Sequence, residues 1–246
     1  MVKAIEKTLT ILNTLSAIGP SGTSELADKL EMPRSTIHHH LQVLESHQFV
    51  VNDSGTYRLT FRFLEIGQEL RHQNELFVVG QSEISELTDN IGYPAGMYVK
   101  EHGSAVLVFR AGLDPTVPVT LYPGRHLPLH ATAAGKALLA STVEKPRVER
   151  LAELPLDGYT DKTITSPDKL AEDIRTVSDN GYATATEERW ESRCSVAVPV
   201  HDGRTRSAVL EAAVPAAEFS ESTLETLTTE LQQTVNVIQI KSEYSE

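Results

Sequence analysis

The hydrophobic positions of residues 1–60 recur first with a helical and then with an extended spacing. Apolar side chains at every third or fourth position predict a helix over Lys3–Ile18, which a Gly-Pro pair ends. A short second helix is predicted over 24–30, with Thr23 as its N-cap, because a threonine hydroxyl can accept a hydrogen bond from a free backbone N–H. A break at 31–33 separates it from a third helix. This part of the chain is therefore predicted to begin with three helices.

The third predicted helix contains three consecutive histidines, at positions 38–40. Neighbouring positions on a helix diverge by about 100°, so three adjacent imidazole rings cannot close on one metal ion. Its apolar stripe, at spacings typical of an amphipathic helix, is formed by Ile37, Leu41, Leu44 and Gln48. His40 lies beside that stripe and is expected to be half-buried. The polar residues that point away from the stripe are Arg34, Ser35, His38, His39, Gln42 and Glu45.

Two extended runs follow the third helix, at 49–51 and 56–59, and they flank an Asn-Asp-Ser-Gly hairpin signal. Three helices followed by a two-stranded ribbon is the element order of a winged helix-turn-helix domain. In that domain the third helix enters the DNA major groove and the ribbon touches the adjacent backbone. Residues 1–60 are therefore predicted to bind DNA.

The remainder of the chain changes from a helical to a mixed pattern. Residues 61–91 are predicted to be helical, with weak points at Gly67 and Gly80, as a linker helix followed by a second helix. Short strands mixed with helices then predict an α+β sensor domain, so we divide the chain into a winged helix-turn-helix domain (1–60), a linker helix (61–82) and a sensor domain (83–246). The predicted strands are 97–100, 105–110, 117–121, 182–186, 195–200 and 208–214, and the predicted helices are 131–141, 145–151, 170–177 and 220–240.

The charge of the chain is unevenly distributed. The formal net charge is −12, from 34 acidic and 22 basic residues, which argues against a general polyanion binder. Residues 1–65 contain six Lys/Arg and seven Asp/Glu, so the remaining 16 bases and 27 acids lie in residues 66–246. Attraction to DNA must therefore come from a few cations in a nearly neutral segment. The acidic, lysine-poor composition is also compatible with a salt-adapted cytoplasm.

Composition also limits the compartment. No run of residues approaches the roughly 18 apolar positions of a membrane span, and the first residues lack the basic and apolar regions of a signal peptide. The single cysteine, Cys194, excludes an internal disulfide framework. The protein is expected to be cytoplasmic.

Three stretches of the chain, in order, resemble the IclR family of transcriptional regulators. PRSTIHHHLQVLESHQFV followed by GTYRLTFRFLEIG is similar to the winged-helix half of that family. LPLHATAAGKALLA, at 127–140, and GYATATEERWESRCSVAVPVHDG, at 181–203, resemble its effector domain. The resemblance implies a GAF-like ligand domain, a homodimer or homotetramer, double-stranded operator DNA and a small-molecule effector as partners. It implies neither a cofactor nor a catalytic activity.

The resemblance also implies site residues. Thr36, His38 and His39 occupy recognition-helix positions, and His39 stands where the family usually has an arginine that can bind guanine bidentately. His40 stands where the family usually has leucine. With the cations and exposed polar residues nearby, the candidate DNA-binding set is Arg34, Ser35, Thr36, His38, His39, Gln42 and Arg58. The effector-binding positions implied by the family are Ala133, Ala134, Thr184, Ser192, Cys194, Glu211 and Ala213.

These positions suggest the chemistry of the effector. Family members that bind small keto acids often have an acid and two serines at positions 184, 211 and 213, whereas this chain has Thr, Glu and Ala. Free backbone N–H groups at the start of the helix after 130–134 are expected to favour an anionic ligand end. Glu211, on the opposite wall, would accept hydrogen bonds from hydroxyls. A sugar acid has a carboxylate for the helix start and hydroxyls for Glu211. An aromatic acid is an alternative effector, because Tyr93, Tyr98 and Phe109 could flank the site.

Two rival interpretations use the same segments. Cys194 could be a nucleophile with His130 or His201 as its base, although no paired acid and base fall at a meaningful spacing. A metal-responsive regulator could use glutamates at 187, 188 and 191 with His126 or His130. The segment HATAAGK is not a phosphate loop, because it lacks the glycine spacing and the Ser/Thr after the lysine. The interpretation that best fits the whole chain is a metabolite-responsive DNA-binding regulator.

Overall fold

The computed structural model describes residues 2–112, 121–142, 148–201 and 207–244. The chain divides into two compact units, Met1–Gln73 and Asn74–Glu246. The predicted linker at 61–82 therefore spans the division between them. Parts of the predicted strand at 117–121 and of the predicted helix at 145–151 lie outside the described residues. None of the described helices is long and apolar enough to cross a membrane.

The first unit is a winged helix-turn-helix domain. The elements are α1 (Lys3–Ile18), β1 (Ser21–Gly22), α2 (Thr23–Leu30), α3 (Arg34–Ser46), β2 (Val50–Asp53), β3 (Thr56–Leu59) and α4 (Arg62–His72). The strands form a three-stranded antiparallel sheet in the order β1-β3-β2. The core consists of side chains from α1, α2, α3 and the ribbon, including Ile11, Leu26, Ile37, Leu41 and Tyr57.

Two local predictions in this unit are wrong. Thr23 is the first residue of α2, and the N-cap position belongs to Gly22, which makes no side-chain cap. The reason is that Gly22 pairs with Thr56 as part of β1, so the helix begins directly after a strand. Gln48 does not continue the apolar stripe of α3. The helix ends at Ser46, and Gln48 is exposed with a φ of 64°, which turns the chain into the ribbon.

The helix break after the winged domain also differs from the prediction. It lies at Gln73 and Asn74, because the Asn74 side chain accepts a hydrogen bond from the Phe77 backbone N–H and starts a new helix. Gly67 and Gly80 lie inside helices. A Cβ at Gly80 would come within 2.6 Å of the Met97 side chain, so glycine at this position permits close packing of helix on strand.

The second unit is one six-stranded antiparallel sheet between two helical layers, and it confirms the predicted α+β class. Its elements are α5 (Glu75–Ile91), β4 (Ala95–Glu101), β5 (Ser104–Ala111), β6 (His126–Pro128), α6 (Ala133–Thr142), α7 (Val148–Leu151), α8 (Pro167–Asn180), β7 (Ala183–Thr186), β8 (Arg193–His201), β9 (Ser207–Pro215), a 3₁₀ turn (Ala216–Glu218) and α9 (Glu221–Glu243). The strand order in the sheet is β6-β5-β4-β9-β8-β7.

Alternation along the central strands creates two separate cores. Side chains on one face pack against α6 and α8, and those on the other face pack against α5 and α9. In β9, Val209 contributes to the first core, while Leu210 and Ala212 contribute to the second. Successive residues of a strand point to opposite faces, so Glu211 and Ala213 face the α6 layer with Val209.

Candidate functional site

The exposed face of α3 is the candidate DNA-reading surface. Ile37, Leu41 and Leu44 are buried and attach the helix to the domain core. The face opposite to them carries side chains that can donate or accept hydrogen bonds towards base edges. The predicted residues on it are Arg34, Ser35, His38, His39 and Gln42, all exposed, and Thr36, which is half-buried.

The ribbon presents the remaining predicted cation. Arg58 lies on β3 opposite Val51 and is exposed. The turn that joins the two strands is shaped by Asn52, whose side-chain oxygen accepts a hydrogen bond from the Gly55 backbone N–H at 2.8 Å. The winged unit thus carries a polar helix face and a positively charged ribbon, the two elements with which such domains contact DNA.

His40 has a structural environment that differs from those of His38 and His39. It is half-buried, as predicted, and its Nδ1 lies 2.8 Å from the Thr8 hydroxyl of α1. Burial lowers the pKa of His40, and the neighbouring His39 lowers it further. This histidine therefore connects α1 to α3 in its neutral form rather than serving as a DNA contact.

Glu211 is the central residue of the candidate effector cavity in the second unit. It is only 4% exposed, and its Oε2 accepts a hydrogen bond from the Ala134 backbone N–H at 2.9 Å. Its Oε1 lies 3.6 Å from Nη2 of Arg193, and Tyr98 also hydrogen-bonds the carboxylate. Burial raises the pKa of Glu211, while Arg193 and the Ala134 N–H oppose that shift.

Two backbone donors at the N-terminus of α6, which were predicted to be free, have partners inside the protein. The Ala134 N–H is bonded to Glu211, and the Gly135 N–H is bonded to the Thr132 hydroxyl at 3.0 Å. Gly135 is required at this point because a Cβ there would lie 2.4 Å from the Leu129 carbonyl oxygen. The positive end of the helix is therefore occupied by the protein's own carboxylate.

Two arginines and a tryptophan form the other side of this cavity. The Arg193 guanidinium lies 5.0 Å from the centre of the Trp190 ring, and the Arg189 guanidinium lies 5.1 Å from the same ring. The enclosed space is about 10 Å³, room for about one water molecule. Its lining residues are Ala131, Thr132, Ala185, Glu188, Arg189, Trp190, Arg193, Ser195 and Glu211.

The structure brings only part of the predicted effector set together. Ala133, Ala134 and Glu211 are buried beside one another, and Ala213 lies on the same sheet face. Ser192 is exposed, with its backbone N–H donating to Glu187.

Thr184 and Cys194 belong to the opposite face of the sheet. Cys194 pairs with Val214 and packs in the core under α5 and α9, and Thr184 pairs with Val196 of that core. Their neighbours Ala185, Arg193 and Ser195 line the cavity instead.

The cavity-lining residues that sequence reasoning missed follow from strand alternation. Once Glu211 is placed on the cavity face, antiparallel pairing puts Ala197 and then Ser195 and Arg193 on that face as well. Lys136 was also missed. It is 1% exposed, and its Nζ lies 2.8 Å from Glu188 Oε1 and 3.0 Å from Asp173 Oδ2. Burial raises the pKa of Glu188 despite the opposing effect of Lys136.

The groups invoked by the rival interpretations have other partners. Burial raises the pKa of the Cys194 thiol, which disfavours the nucleophilic thiolate. His130 Nε2 donates to the Asp157 carbonyl at 2.9 Å. Within the described ranges, no three His, Cys, Asp or Glu side chains are grouped so that they could hold a metal ion.

The aromatic residues considered as flanks of the site are largely elsewhere. Tyr93 donates its hydroxyl to Glu218, and Phe109 packs against Phe77 in the core under α5. Only Tyr98 lies on the cavity side, where it contacts Glu211. The case for an aromatic effector in this cavity therefore has little support from these three residues.

A winged helix whose third helix has an exposed polar face, joined in one chain to a sheet unit with a small polar cavity, is typical of a DNA-binding transcriptional regulator. Residues 4–54 match the family described as the IclR helix-turn-helix domain, and residues 68–240 match the family described as the bacterial transcriptional regulator IclR C-terminal. The chain belongs to the IclR family of transcriptional regulators.

Individual relatives agree with this assignment. The chain is 28% identical to the regulator SauR of Cupriavidus necator over 85% of each chain. It is 30% identical to the HTH-type regulator ArcR of Halobacterium salinarum, over 74% of this chain and 70% of that one. An IclR homologue of Microbacterium hydrocarbonoxydans, solved with 4-hydroxybenzoate, has the same fold, with a TM-score of 0.82 at 21% identity over 98% of this chain and all of that chain. Because the families and relatives are regulators, the interpretation as a regulator rather than an enzyme is confirmed.

Proposed function

We propose that the chain acts in the cytoplasm as a homodimer or homotetramer on a partly palindromic operator, with residues 1–60 binding DNA, 61–82 connecting and 83–246 sensing a metabolite. The observation that carries the DNA-binding part is the division of α3 into a buried apolar face and an exposed polar face. Base contacts come from the exposed side chains of α3, and Arg58 contacts the backbone. The proposed contact residues are Arg34, Ser35, Thr36, His38, His39, Gln42 and Arg58.

The apolar surface of the first unit supports self-association. None of the α4 side chains is buried, although the helix carries several large apolar residues. Exposed apolar surface of this extent on one helix is typical of an interface. Two copies of α3 related by a twofold axis would match two half-sites of a palindrome. The apolar residues left exposed here are Phe63, Leu64, Ile66 and Leu70 on α4, with Ile5 and Leu9 on α1.

Analytical ultracentrifugation tests the dimer. Leu64→Glu should shift the protein towards monomer and weaken operator binding, because a carboxylate would be buried in the interface. His72→Glu adds the same charge to the same helix at an exposed polar position, on the side away from Phe63 and Leu70, and should leave the assembly intact. If the Leu64→Glu protein keeps the wild-type sedimentation coefficient, α4 is not the interface.

The cavity around Glu211 supports an effector that carries both an acid and hydroxyl groups. Arg193 can bind a carboxylate, and Glu211 can accept hydrogen bonds from hydroxyls. Because the Arg193–Glu211 contact encloses so little space, a ligand must separate these two side chains as it enters. A sugar acid or a related hydroxy acid supplies a partner for each of them. The Microbacterium hydrocarbonoxydans homologue was solved with 4-hydroxybenzoate, an aromatic acid that likewise carries one carboxylate and one hydroxyl group.

Thermal-shift measurements with gluconate, glucose and pyruvate test this chemistry, since stabilisation follows ligand saturation. Gluconate should raise the melting temperature more than the other two and should change operator binding in a fluorescence anisotropy assay. Arg193→Gln should abolish the shift, whereas Arg175→Gln, an exposed arginine of α8 outside the cavity, should retain it. A response to pyruvate alone would contradict the proposal.

A further inference from the structure

A second and larger cavity lies in the same unit, outside the site around Glu211. Its volume is about 230 Å³. It is a cavity open to the surface, lined by β6 and the residues that follow it, by the start of β5, and by residues of the segment 154–159. Its lining set shares only Arg189 with the set around Glu211. The two cavities are therefore adjacent but separately lined.

The charge of this cavity is opposite to that of the chain. The net charge of the protein is −12, yet none of the residues that line the cavity is an aspartate or glutamate. Its ionisable groups are Arg189, His126, His130 and Tyr159, and leucine and proline side chains supply the rest of the wall. A cation without a lining acid favours an anionic guest, and the apolar remainder favours a guest with an apolar body.

Arg189 is positioned at this cavity by an aromatic ring. Its guanidinium lies 3.9 Å from the centre of the Tyr159 ring, and both residues line the cavity. Stacking on a ring leaves the guanidinium N–H groups available in the plane of the guanidinium. Arg189 can therefore offer these donors to an anion in the cavity.

The volume of the cavity sets the size of that anion. An engineered apolar protein cavity of about 150 Å³ holds benzene, so about 230 Å³ accommodates one ring with a carboxylate. We propose that this cavity is a second ligand site, for a small monocarboxylic acid with an apolar body whose carboxylate is bound by Arg189. This goes beyond the effector site around Glu211, because the two ligands contact different walls.

Benzoate is the probe for this site, and benzamide is its uncharged match in shape. Isotope-filtered NOEs on protein labelled at its leucine methyl groups and at its tryptophan ring should connect the benzoate ring to Leu127 and Leu154, which line only the second cavity. Trp190, the single tryptophan of the chain, lines only the first cavity and should show no such contact. Titration should give about tenfold or more tighter binding of benzoate than of benzamide, as expected for a charge-assisted pair.

Variants of the protein complete the test. Arg189→Gln should lower benzoate affinity about tenfold or more, and Arg175→Gln, which removes the same charge from an exposed position, should not. Ser104→Phe should fill the second cavity and abolish benzoate binding while the thermal shift with gluconate is retained. If the Ser104→Phe variant fails to fold, the relative affinities of the wild-type protein for benzoate and benzamide test the proposal. NOEs to Trp190 alone, equal affinity for benzamide, or no saturable binding would overturn the proposal, and none of these depends on whether gluconate is the effector.

Discussion

The carboxylate of Glu211 on β9 accepts a hydrogen bond from the backbone N–H of Ala134, 2.9 Å away, and so occupies the N-terminus of α6. The start of a helix is a natural site for an anion, because its N–H groups and its dipole both favour negative charge. In this protein a side chain of the sheet already fills that site. An effector carboxylate must therefore bind to Arg193 instead, or displace Glu211.

Replacing Glu211 should change which acids the protein binds. In Glu211→Ser the Ala134 N–H and Arg193 no longer contact a carboxylate of the protein, so compact acids such as pyruvate or acetate should bind there with at least about tenfold higher affinity than in the wild type. Isothermal titration calorimetry measures this change. Glu218→Ser removes a carboxylate that bonds Tyr93 outside the cavity and serves as the control. Unchanged weak binding of both acids would show that Glu211 does not block the helix end.

The buried pair of Lys136 and Glu188 should contribute strongly to the stability of the second unit. Lys136→Met leaves the buried Glu188 carboxylate without its cation, which typically costs about 3–5 kcal/mol of unfolding free energy, whereas Asp173, with a side chain that is 32% exposed, should contribute little. Urea denaturation followed by Trp190 fluorescence measures the loss. Adding Glu188→Gln to Lys136→Met should restore part of the stability, because the double variant has one fewer unpaired charge. Lys162→Met, which breaks an exposed pair with Glu187, should change the midpoint little.

Protonation of His40 should make the winged unit less stable in mild acid. The folded-state pKa of His40 is lowered by burial, so the unfolded chain binds the proton more readily. Stability is therefore retained above pH 6.5, the ordinary histidine pKa, and is lost as the pH falls through that value towards the folded pKa. In His40→Leu the gain in apolar burial and the lost bond to Thr8 are each about 1 kcal/mol, so the variant should match the wild type at pH 8 and exceed it at pH 5.5.

Urea denaturation by circular dichroism at the two pH values checks this prediction. Trp190 fluorescence reports only the other unit in the same sample, and its midpoint should be unaffected by the substitution. An equal pH dependence for wild type and variant would assign the acid sensitivity to another group.

The elements of the fold were largely predictable because their signals are local. The stripe of Ile37, Leu41 and Leu44 identifies α3 by its spacing alone, and the Asn-Asp-Ser-Gly turn identifies the ribbon. The predictions of helix boundaries are wrong where contacts other than the local hydrophobic spacing determine the boundary. Thr23 is not the N-cap of α2, because Gly22 pairs with β3 and the helix begins directly after that strand residue. The break between α4 and α5 is set by the Asn74 cap rather than by a glycine.

The effector site was less predictable for the same physical reason. A one-residue shift along a strand moves a side chain to the other face of a sheet, so Cys194 and Thr184 lie in one core while Arg193 and Ala185 line the cavity. The hydrogen bond from the Ala134 N–H to the Glu211 carboxylate joins residues that are 77 positions apart in the sequence. No spacing in the sequence contains that information.

His39 should contribute a direct operator contact. It lies on the exposed face of α3, in the segment of a recognition helix that meets base edges. His39→Ala should weaken specific operator binding by about 1–3 kcal/mol, the usual range for a good base contact. His47→Ala removes an exposed histidine beyond the C-terminal end of the same helix and should bind normally. Fluorescence anisotropy at fixed salt concentration measures both, and wild-type affinity of His39→Ala would exclude this register of the helix.

Operator affinity should fall with salt concentration on a shallower slope than that of a protein that neutralises about ten phosphates. Binding releases counterions in proportion to the number of phosphates that the protein neutralises, with a slope of about −0.9 per phosphate. Only six Lys/Arg residues lie in residues 1–65, and of these Arg34 and Arg58 are the cations of the proposed contact set. A dimer using two or three cations per subunit should give a logarithmic slope of about −4 to −5, and Arg58→Gln should make it shallower by about 2 per dimer. Anisotropy titrations between 50 and 200 mM salt, roughly the range over which such slopes are resolved, provide the measurement. A slope near −10 would mean that cations outside the proposed contact set neutralise phosphates against the net charge of −12.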